Sequence, residues 1–461
     1  MLAGAQQWNR RTKASILLLP AAHREKPFVQ SHPPRFILPG AASHCRHHSL
    51  VHPISSSETR LPEAANIVMG NSCHISGSDK PNSRSRHNKA SVEWLPMSAR
   101  EYDVVFVGGG LSALLLLKEL RDALPERVAV IDPSPPQEEP PVHWSYWSRG
   151  QTFYDHFAIG TWWQARVADV PPESIAPFTM RLVRSTDVFA HIVELLEDAP
   201  IEWLRTQARS ISRLGDEQYE IATGDGRIGA RWVFDSAPDV PPTFPTSRRP
   251  RAVLSGTGIH VISDQEVFDE ATVTLFDPLD ERSFAYQLPL GRAEVLLESA
   301  SFDAVAQETD ETPLLRYLRA RYPETRFTVD HVESGSIPLG FSPSETTGPR
   351  HILLGTKRGL VKPSAGYGIV RIAEESEHLA GLWRENRPLP PTWRANWRWR
   401  LLDKGFLQLA AQDPRLPLAL LHRVMRAVPL AGSLGFIDEE LPLRQLAAVF
   451  RSALPGVLGR R

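Results

Sequence analysis

Gly108, Gly110 and Ala113 stand at the spacing G-x-G-x-x-A, and Asp132 follows 22 residues past Gly110. These residue types at this spacing suit the pyrophosphate and ribose of a dinucleotide. The first glycine permits a tight turn and the second lets backbone approach phosphate. The small third residue lets a helix pack close to its strand, and the acid meets a ribose hydroxyl. A carboxylate there also repels the extra phosphate of NADP. FAD and NAD fit this set equally well. A second set lies in GTKRGLVKPSAGYG: Gly355, Gly359, Pro363, Gly366 and Tyr367. Proline and glycines set a fixed backbone shape there, ahead of a helix whose free N–H groups suit an anion or a ring carbonyl.

The elements around both sets have the right character. Tyr102 to Val107 is a short apolar run that suits a buried parallel strand, and Leu111 to Arg121 reads as a buried helix. Arg127 to Asp132 is a second strand ending in its acid. HILLG at 351–355 is another buried strand, followed by a helix predicted from about Tyr367 to Trp383.

Between them the chain changes pattern twice. Residues 133–172 are rich in proline and tryptophan, read as an irregular segment that fills core or lines an aromatic cavity. Thr186 to Leu196 has helical spacing with Ser185 as its N-cap, and Gly224-Asp225-Gly226 marks a hairpin within 218–237. Trp232 to Asp235 returns as a core strand. After a Pro/Arg-rich linker at 240–252, strand-like runs at 258–262, 271–276, 283–289 and 293–300 predict an antiparallel sheet. A helix at 312–322 and strands at 327–335 and 336–339 complete it. Past the prolines at 388–391, three stretches (400–411, 415–428 and 440–453) read as helices. Trp393, Trp397 and Trp399 alternate with Arg394, Arg398 and Arg400 at their start, which suits either an anionic bilayer surface or packing on the sheet.

Composition narrows the classes. A formal net charge of −1 over 461 residues gives no global attraction to nucleic acid. No apolar run approaches the roughly 18–20 residues of a membrane span, so contact with a membrane would be peripheral. Residues 1–96 are basic and hold both cysteines, Cys45 and Cys73, so no disulfide framework supports the rest. Three readings fit this leader: upstream sequence before a start at Met97, an Arg/Ser-rich transit peptide, or a disordered tail. Its histidine cluster lacks zinc-site spacing, and no metal is expected.

Four patches together resemble the FAD-dependent lycopene cyclase family, over roughly residues 101–455: DVVFVGGGLSALLLLKEL, HWSYWSRG at 143–150, FAYQLPLGRAEVLLESASF at 284–302, and GTKRGLVKPSAGYG at 355–368. The resemblance implies an α/β, two-dinucleotide-binding-type flavoprotein fold with an inserted antiparallel β substrate domain and a C-terminal helical cap. The divisions expected are 97–252 and 345–387 for the FAD-binding domain, 253–344 for the substrate domain and 388–461 for the cap. It also implies FAD, required reduced but not consumed, with NAD(P)H as a possible reductant. The activity implied is protonation of a linear carotenoid end and closure of the cation to a six-membered ring. A membrane-dissolved polyene substrate implies the cytoplasmic face of a membrane, or a plastid if the leader is a transit peptide. The oligomeric state is left open.

In that family motif, Glu298 is the matching acid. On a strand it shares a face with Leu296 and Ala300, whose apolar surroundings favour a neutral carboxyl, while Glu294 adds like-charge pressure. Asp277 and Glu333 are secondary acids. The motifs also depart from the family: Ser299 and Ala300 replace an acid and a threonine, Ala365 a threonine, and Arg358 a common glycine. Thr356 after Gly355 replaces the aspartate of redox flavoprotein hydroxylases. The alternatives these leave are a redox flavoenzyme on an apolar substrate and a flavin- or carotenoid-binding relative without activity.

Overall fold

The computed structural model describes residues 100–441, apart from 139, 216, 238–251, 305–306, 308–309, 341–345 and 394–395, together with residue 447. The leader, all but Ala252 of the linker, and all but three residues of the 440–453 stretch lie outside the described residues.

In chain order the first elements are β1 (Arg100–Val107), α1 (Leu111–Leu120), β2 (Val128–Ile131), β3 (His143–Ser148), β4 (Ala158–Trp162), β5 (Gln164–Val167) and β6 (Glu173–Ser174). Then come β7 (Thr179–Arg184), α2 (Ser185–Leu195), β8 (Ile201–Leu204), β9 (Ala208–Arg213), β10 (Tyr219–Thr223) and β11 (Arg227–Asp235). After the linker follow β12 (Ala252–Ser263), β13 (Thr272–Pro278), β14 (Ser283–Gly291), β15 (Glu294–Asp303), α3 (Thr312–Arg321) and β16 (Phe327–Leu339). The chain continues with β17 (His351–Leu353), α4 (Gly355–Arg358), α5 (Ile369–Arg384), α6 (Trp397–Gln412), α7 (Arg415–Ala427) and α8 (Leu430–Ile437).

The first sheet runs β8–β2–β1–β11–β10–β9, with β17 beside the far end of β11. Strands β8, β2, β1, β11 and β17 are parallel, and the hairpin β9–β10 adds antiparallel pairs. From Val104 to Val107 both faces of β1 are buried, which is why that run is continuously apolar. Helices α1, α2 and α5 cover one face of the sheet. The sequence names the helix over 186–196 correctly, yet Ser185 does not cap it. Ser185 is already helical, and its hydroxyl accepts the Val142 N–H at 2.9 Å, anchoring the start of β3.

The second sheet is β16–β12–β15–β14–β13–β5–β6. All its pairs are antiparallel except β5–β13. The two strand readings over 327–339 merge into the single β16. Residues 133–172 are not irregular: they supply β3 and β4 to a small sheet with β7, and β5 to the second sheet. The second sheet therefore draws on chain outside 253–344. Helix α3 covers one face. The other face packs with α6, α7, α8, Trp147, Phe178 and the loop residue Ala365 in one apolar core.

Arg358 explains itself here. It is fully buried, and two of its guanidinium nitrogens meet Glu375 Oε1 of α5 at 2.6 and 2.9 Å. A third donates to the carbonyls of Leu353 and Pro390. It clamps the end of β17, α5 and the proline segment together, a structural use of a position where the family often has glycine. Cutting one partner from a buried ion pair costs about 3–5 kcal/mol because the other charge is left uncompensated. Arg358→Ala is expected to lower unfolding free energy by about that amount, measured by chemical denaturation.

Candidate functional site

At one end, the fingerprint builds a ledge at the carboxyl ends of β1, β2 and β8. Gly108 has φ +92°, and a Cβ there would lie 2.5 Å from Ser236 Oγ, so only glycine fits the turn. Gly110 precedes α1, and no atom lies within 4 Å of where its Cβ would be. Backbone on that side is open to a ligand. Ala113 is fully buried against the sheet. Asp132 accepts the Gly109 N–H at 2.6 Å and the Ser134 N–H at 2.9 Å, which fixes its carboxylate at the rim. Beside it lies a cavity of about 420 Å³ lined by Asp132, Pro135, Gln137, Glu138, Trp203 and Arg205. Open α/β sheets receive ligands outside the carboxyl ends of their strands, and this cavity is in that place.

At the other end, β17 runs into the second glycine set. Gly355 has φ +54°, and its missing Cβ lets the strand exit pack on Ser112 in the first turn of α1. Gly359, at φ +86°, ends the short helix α4. Gly366, at φ +72°, accepts no side chain because a Cβ would overlap Leu254 of β12. The turn is tied by Gly366 N–H to Lys362 O at 2.8 Å and by Lys362 N–H to Tyr367 O at 2.8 Å. Pro363 is buried within it. The helix after the loop begins at Ile369 rather than Tyr367.

The buried Ser364 hydroxyl of this loop has no hydrogen-bond partner, while the Tyr367 hydroxyl lies beside Ser145 and Tyr286. Buried polar groups are normally paired, so Ser364 suits a polar ligand. The residues present thus fit a dinucleotide along the carboxyl edge of the parallel sheet, where β1 and β17 both end.

Sequence reasoning missed a buried cluster beside the loop. Asp235, at the end of β11, accepts Lys357 Nζ at 2.5 Å and lies 3.0 Å from His351 Nε2. Burial alone pushes the Asp235 carboxyl up, but the Lys357 ammonium and the His351 contact outweigh it and hold it below its ordinary range. Lys362 is also buried, paired with Asp403 at 2.6 Å and Glu439 at 3.0 Å, and so ties the loop to the C-terminal helices. No local spacing signals these partners.

The acid site sits on the inner face of the second sheet. Register places Tyr286 (β14), Glu298 (β15), Gly258 (β12) and Glu333 (β16) in one row across four strands. Leu296 and Ala300 flank Glu298 on its face, as strand alternation requires. Burial, then the Glu333 charge, push the Glu298 carboxyl up to about 8. Its like-charge neighbour is therefore Glu333, not Glu294, whose carboxylate is taken by His260 Nε2 at 2.8 Å. Asp277 is held by Tyr317 and Arg321 of α3 and stays outside the row. The buried Tyr286 and Tyr367 hydroxyls both feel the Glu298 charge, so the row and the glycine loop meet here.

Of the segment's tryptophans, Trp147 and Trp162 join the apolar core of this face, and Trp147 meets the loop tyrosine. Its ring centroid is 3.9 Å from that of Tyr367, and its Nε1 donates to Asp438 at 2.8 Å. Trp144 packs on Phe189 in the first core, and Trp163 is 60% exposed. Among the described residues, no group of three or more His, Cys, Asp or Glu is arranged to hold a metal ion.

The chain belongs to the lycopene cyclase protein family, which matches residues 103–455. No curated protein matches the chain. Similar solved structures include a geranylgeranyl bacteriochlorophyll reductase-like protein from Thermoplasma acidophilum, at 12% identity and TM-score 0.49, covering 78% of this chain and 98% of that one. Another is p-nitrophenol 4-monooxygenase from Pseudomonas putida DLL-E4, at 17% identity and TM-score 0.46, covering 78% and 100%. A third is a flavoprotein/dehydrogenase from Cytophaga hutchinsonii, at 12% identity and TM-score 0.45, covering 76% and 99%.

Glu298 should be neutral at pH 7 and ionise near pH 8. Difference infrared spectroscopy across pH 6–10 is expected to show a carboxyl band lost near pH 8 that is absent in Glu298→Gln, apart from the Asp438 carboxyl, which burial pushes up to about 7. Glu333→Gln removes a neighbouring negative charge and should move that midpoint down.

Proposed function

We propose that this protein binds FAD and cyclises the end group of a linear carotenoid, converting lycopene to γ- or β-carotene. The observation that carries this reading is a carboxyl on the apolar face of the second sheet, in register with Tyr286 and near enough to the glycine loop for Tyr367 to feel its charge. Protonation of an alkene needs an acid that keeps its proton near neutral pH, which such a carboxyl supplies. Gly108, Gly110, Ala113 and Asp132 would hold the pyrophosphate and ribose. Gly355, Gly359, Pro363, Gly366 and Tyr367 would shape the ring end. Bound FAD, kept reduced by a donor such as NAD(P)H, supplies negative charge beside a developing cation and is not consumed.

The chain's own residues do the rest. Glu298 donates its proton to the terminal alkene carbon and leaves a tertiary cation. The neighbouring alkene's electron pair closes the six-membered ring, and loss of a C–H proton restores neutrality. Phe284, Leu288, Leu296 and Ala300 keep water from capturing the cation. Tyr286, Tyr367 and Trp147 offer aromatic faces to positive charge.

The motif departures are compatible with activity. Ser299 points to the opposite face from Glu298, where its hydroxyl exchanges contacts with the Thr257 backbone. An acid lost at that position is not lost from the site. Ala300 and Ala365 both add methyl groups to the apolar core around it.

An oily polyene must be collected from a membrane. No helix among the described residues is long and apolar enough to cross one. Trp397 and Leu401 of α6 are 68% and 62% exposed, one turn apart among arginines. We assign this face to peripheral contact with an anionic bilayer.

Expression of the full chain in a lycopene-accumulating host tests the reading. The pigment should keep its mass while its absorption bands shift to the blue. General acids contribute about 10²–10⁴-fold, so Glu298→Gln should lose at least about 10² in rate at normal FAD content. With reduced flavin, the wild-type rate should be level below about pH 8 and fall above it, as the donor loses its proton. Full-rate cyclisation by Glu298→Gln, or one NAD(P)H oxidised per product, would refute the assignment.

A further inference from the structure

Cyclisation needs a place for the second proton as well as a source for the first, and the structure holds a candidate that family resemblance does not name. Glu333 is 7% exposed, and its carboxylate accepts the His143 backbone N–H at 3.1 Å. The His143 ring Nδ1 lies 3.1 Å from the same oxygen, and His331 Nε2 lies 3.7 Å away. A buried carboxylate with two histidines is costly to build and needs a reason. The intervening strand supplies one. Gly258 pairs with Glu298 on one side and Glu333 on the other. A Cβ at 258 would lie 2.8 Å from Glu333 Cγ and 2.9 Å from its Oε1. The missing side chain lets Glu333 lie over β12, toward Glu298. Neighbouring strands are about 4.8 Å apart, so the two glutamates start about 10 Å apart at their backbones, a span two long side chains and a ring can fill.

We propose that Glu333, held by His143, is the base that takes the proton lost on ring closure and returns it to Glu298 across Gly258. This rests on the cyclisation reading. In the proposed cycle Glu298 starts with the proton and Glu333, whose charge pushes the Glu298 carboxyl up, is the acceptor. Glu298 gives its proton to the alkene and becomes a carboxylate. After ring closure, a C–H bond next to the cationic carbon breaks. Its electron pair becomes the ring double bond, and the proton goes to Glu333. Transfer from Glu333 to Glu298 restores the starting state with no net gain or loss of protons.

Three inequivalent C–H positions flank the ring cation, and each yields a different alkene isomer. The position of the base therefore selects the product, which a merely structural role would not do.

The test is the ratio of cyclised isomers, by chromatography and NMR, from the full chain and its variants in a lycopene-accumulating host, with FAD content measured alongside. Glu333→Gln should slow lycopene consumption at least tenfold. The remaining product should shift toward other double-bond isomers or hydrated end groups. Gly258→Ala keeps both acids but displaces Glu333, and should shift the ratio in the same direction. It also serves if Glu333→Gln does not fold. An unchanged isomer ratio in these variants, at any rate, overturns the assignment and leaves Glu333 as a tie between β3 and β16. A wild type that leaves lycopene uncyclised would sink the cyclisation reading itself, and an intact wild type with unshifted variants would sink only this one.

Discussion

Keeping water from one carboxyl is the constraint that the second half of this chain satisfies. An ionised carboxylate in an apolar interior is unfavourable by many kcal/mol, so the group stays neutral instead. Glu298, itself partly buried, moves toward that condition because the inner face of the second sheet is covered from several sides. Helices α6 to α8 cover part of it, the small sheet of β3, β4 and β7 covers more, and the loop bearing Ala365 completes the lid. Glu333 adds a second push in the same direction. Each cover comes from a different region of the chain.

Close backbone approach makes this closure possible. Gly366 lets the glycine loop touch Leu254 on β12, so the loop that follows β17 and the acid sheet share one core. Gly258 does the corresponding work within the sheet, giving Glu333 room beside Glu298. Buried ion pairs then hold the loop from behind. Lys357 is anchored on Asp235, Arg358 on Glu375, and Lys362 on Asp403 and Glu439. Three basic residues within the six positions 357–362 give this segment a fixed shape. Such pairs are weak sources of net stability, yet they strongly disfavour any alternative arrangement that separates them.

The same view explains why motif departures mislead when read as letters. Arg358 looks like an intrusion into a glycine-rich flavin loop, but its side chain runs away into a buried clamp. Ser299 looks like a missing catalytic acid, but strand alternation turns it to the other face. Glu333 looks incidental in HVESGSIPLG, yet pairing through Gly258 brings it to the row that matters.

Local sequence was enough to determine the parallel β1–α1–β2 start, the β10–β11 hairpin, strands β12 to β15 and helices α6 and α7, but it did not signal α8. Their apolar periodicity and glycine punctuation are local signals that packing did not override. Gly108, Gly110, Ala113 and Asp132 were legible for the same reason, and so was Glu298 as an inward strand position. Tertiary structure alone decided that β5 joins the second sheet, that Trp147 rather than Trp144 faces Tyr367, and that Glu294 is spent on His260. It also decided the Asp235–Lys357–His351 cluster and the Glu298–Gly258–Glu333 row. Those groups are separated by tens to well over a hundred residues, and strand register, which no single segment encodes, sets which side chains meet.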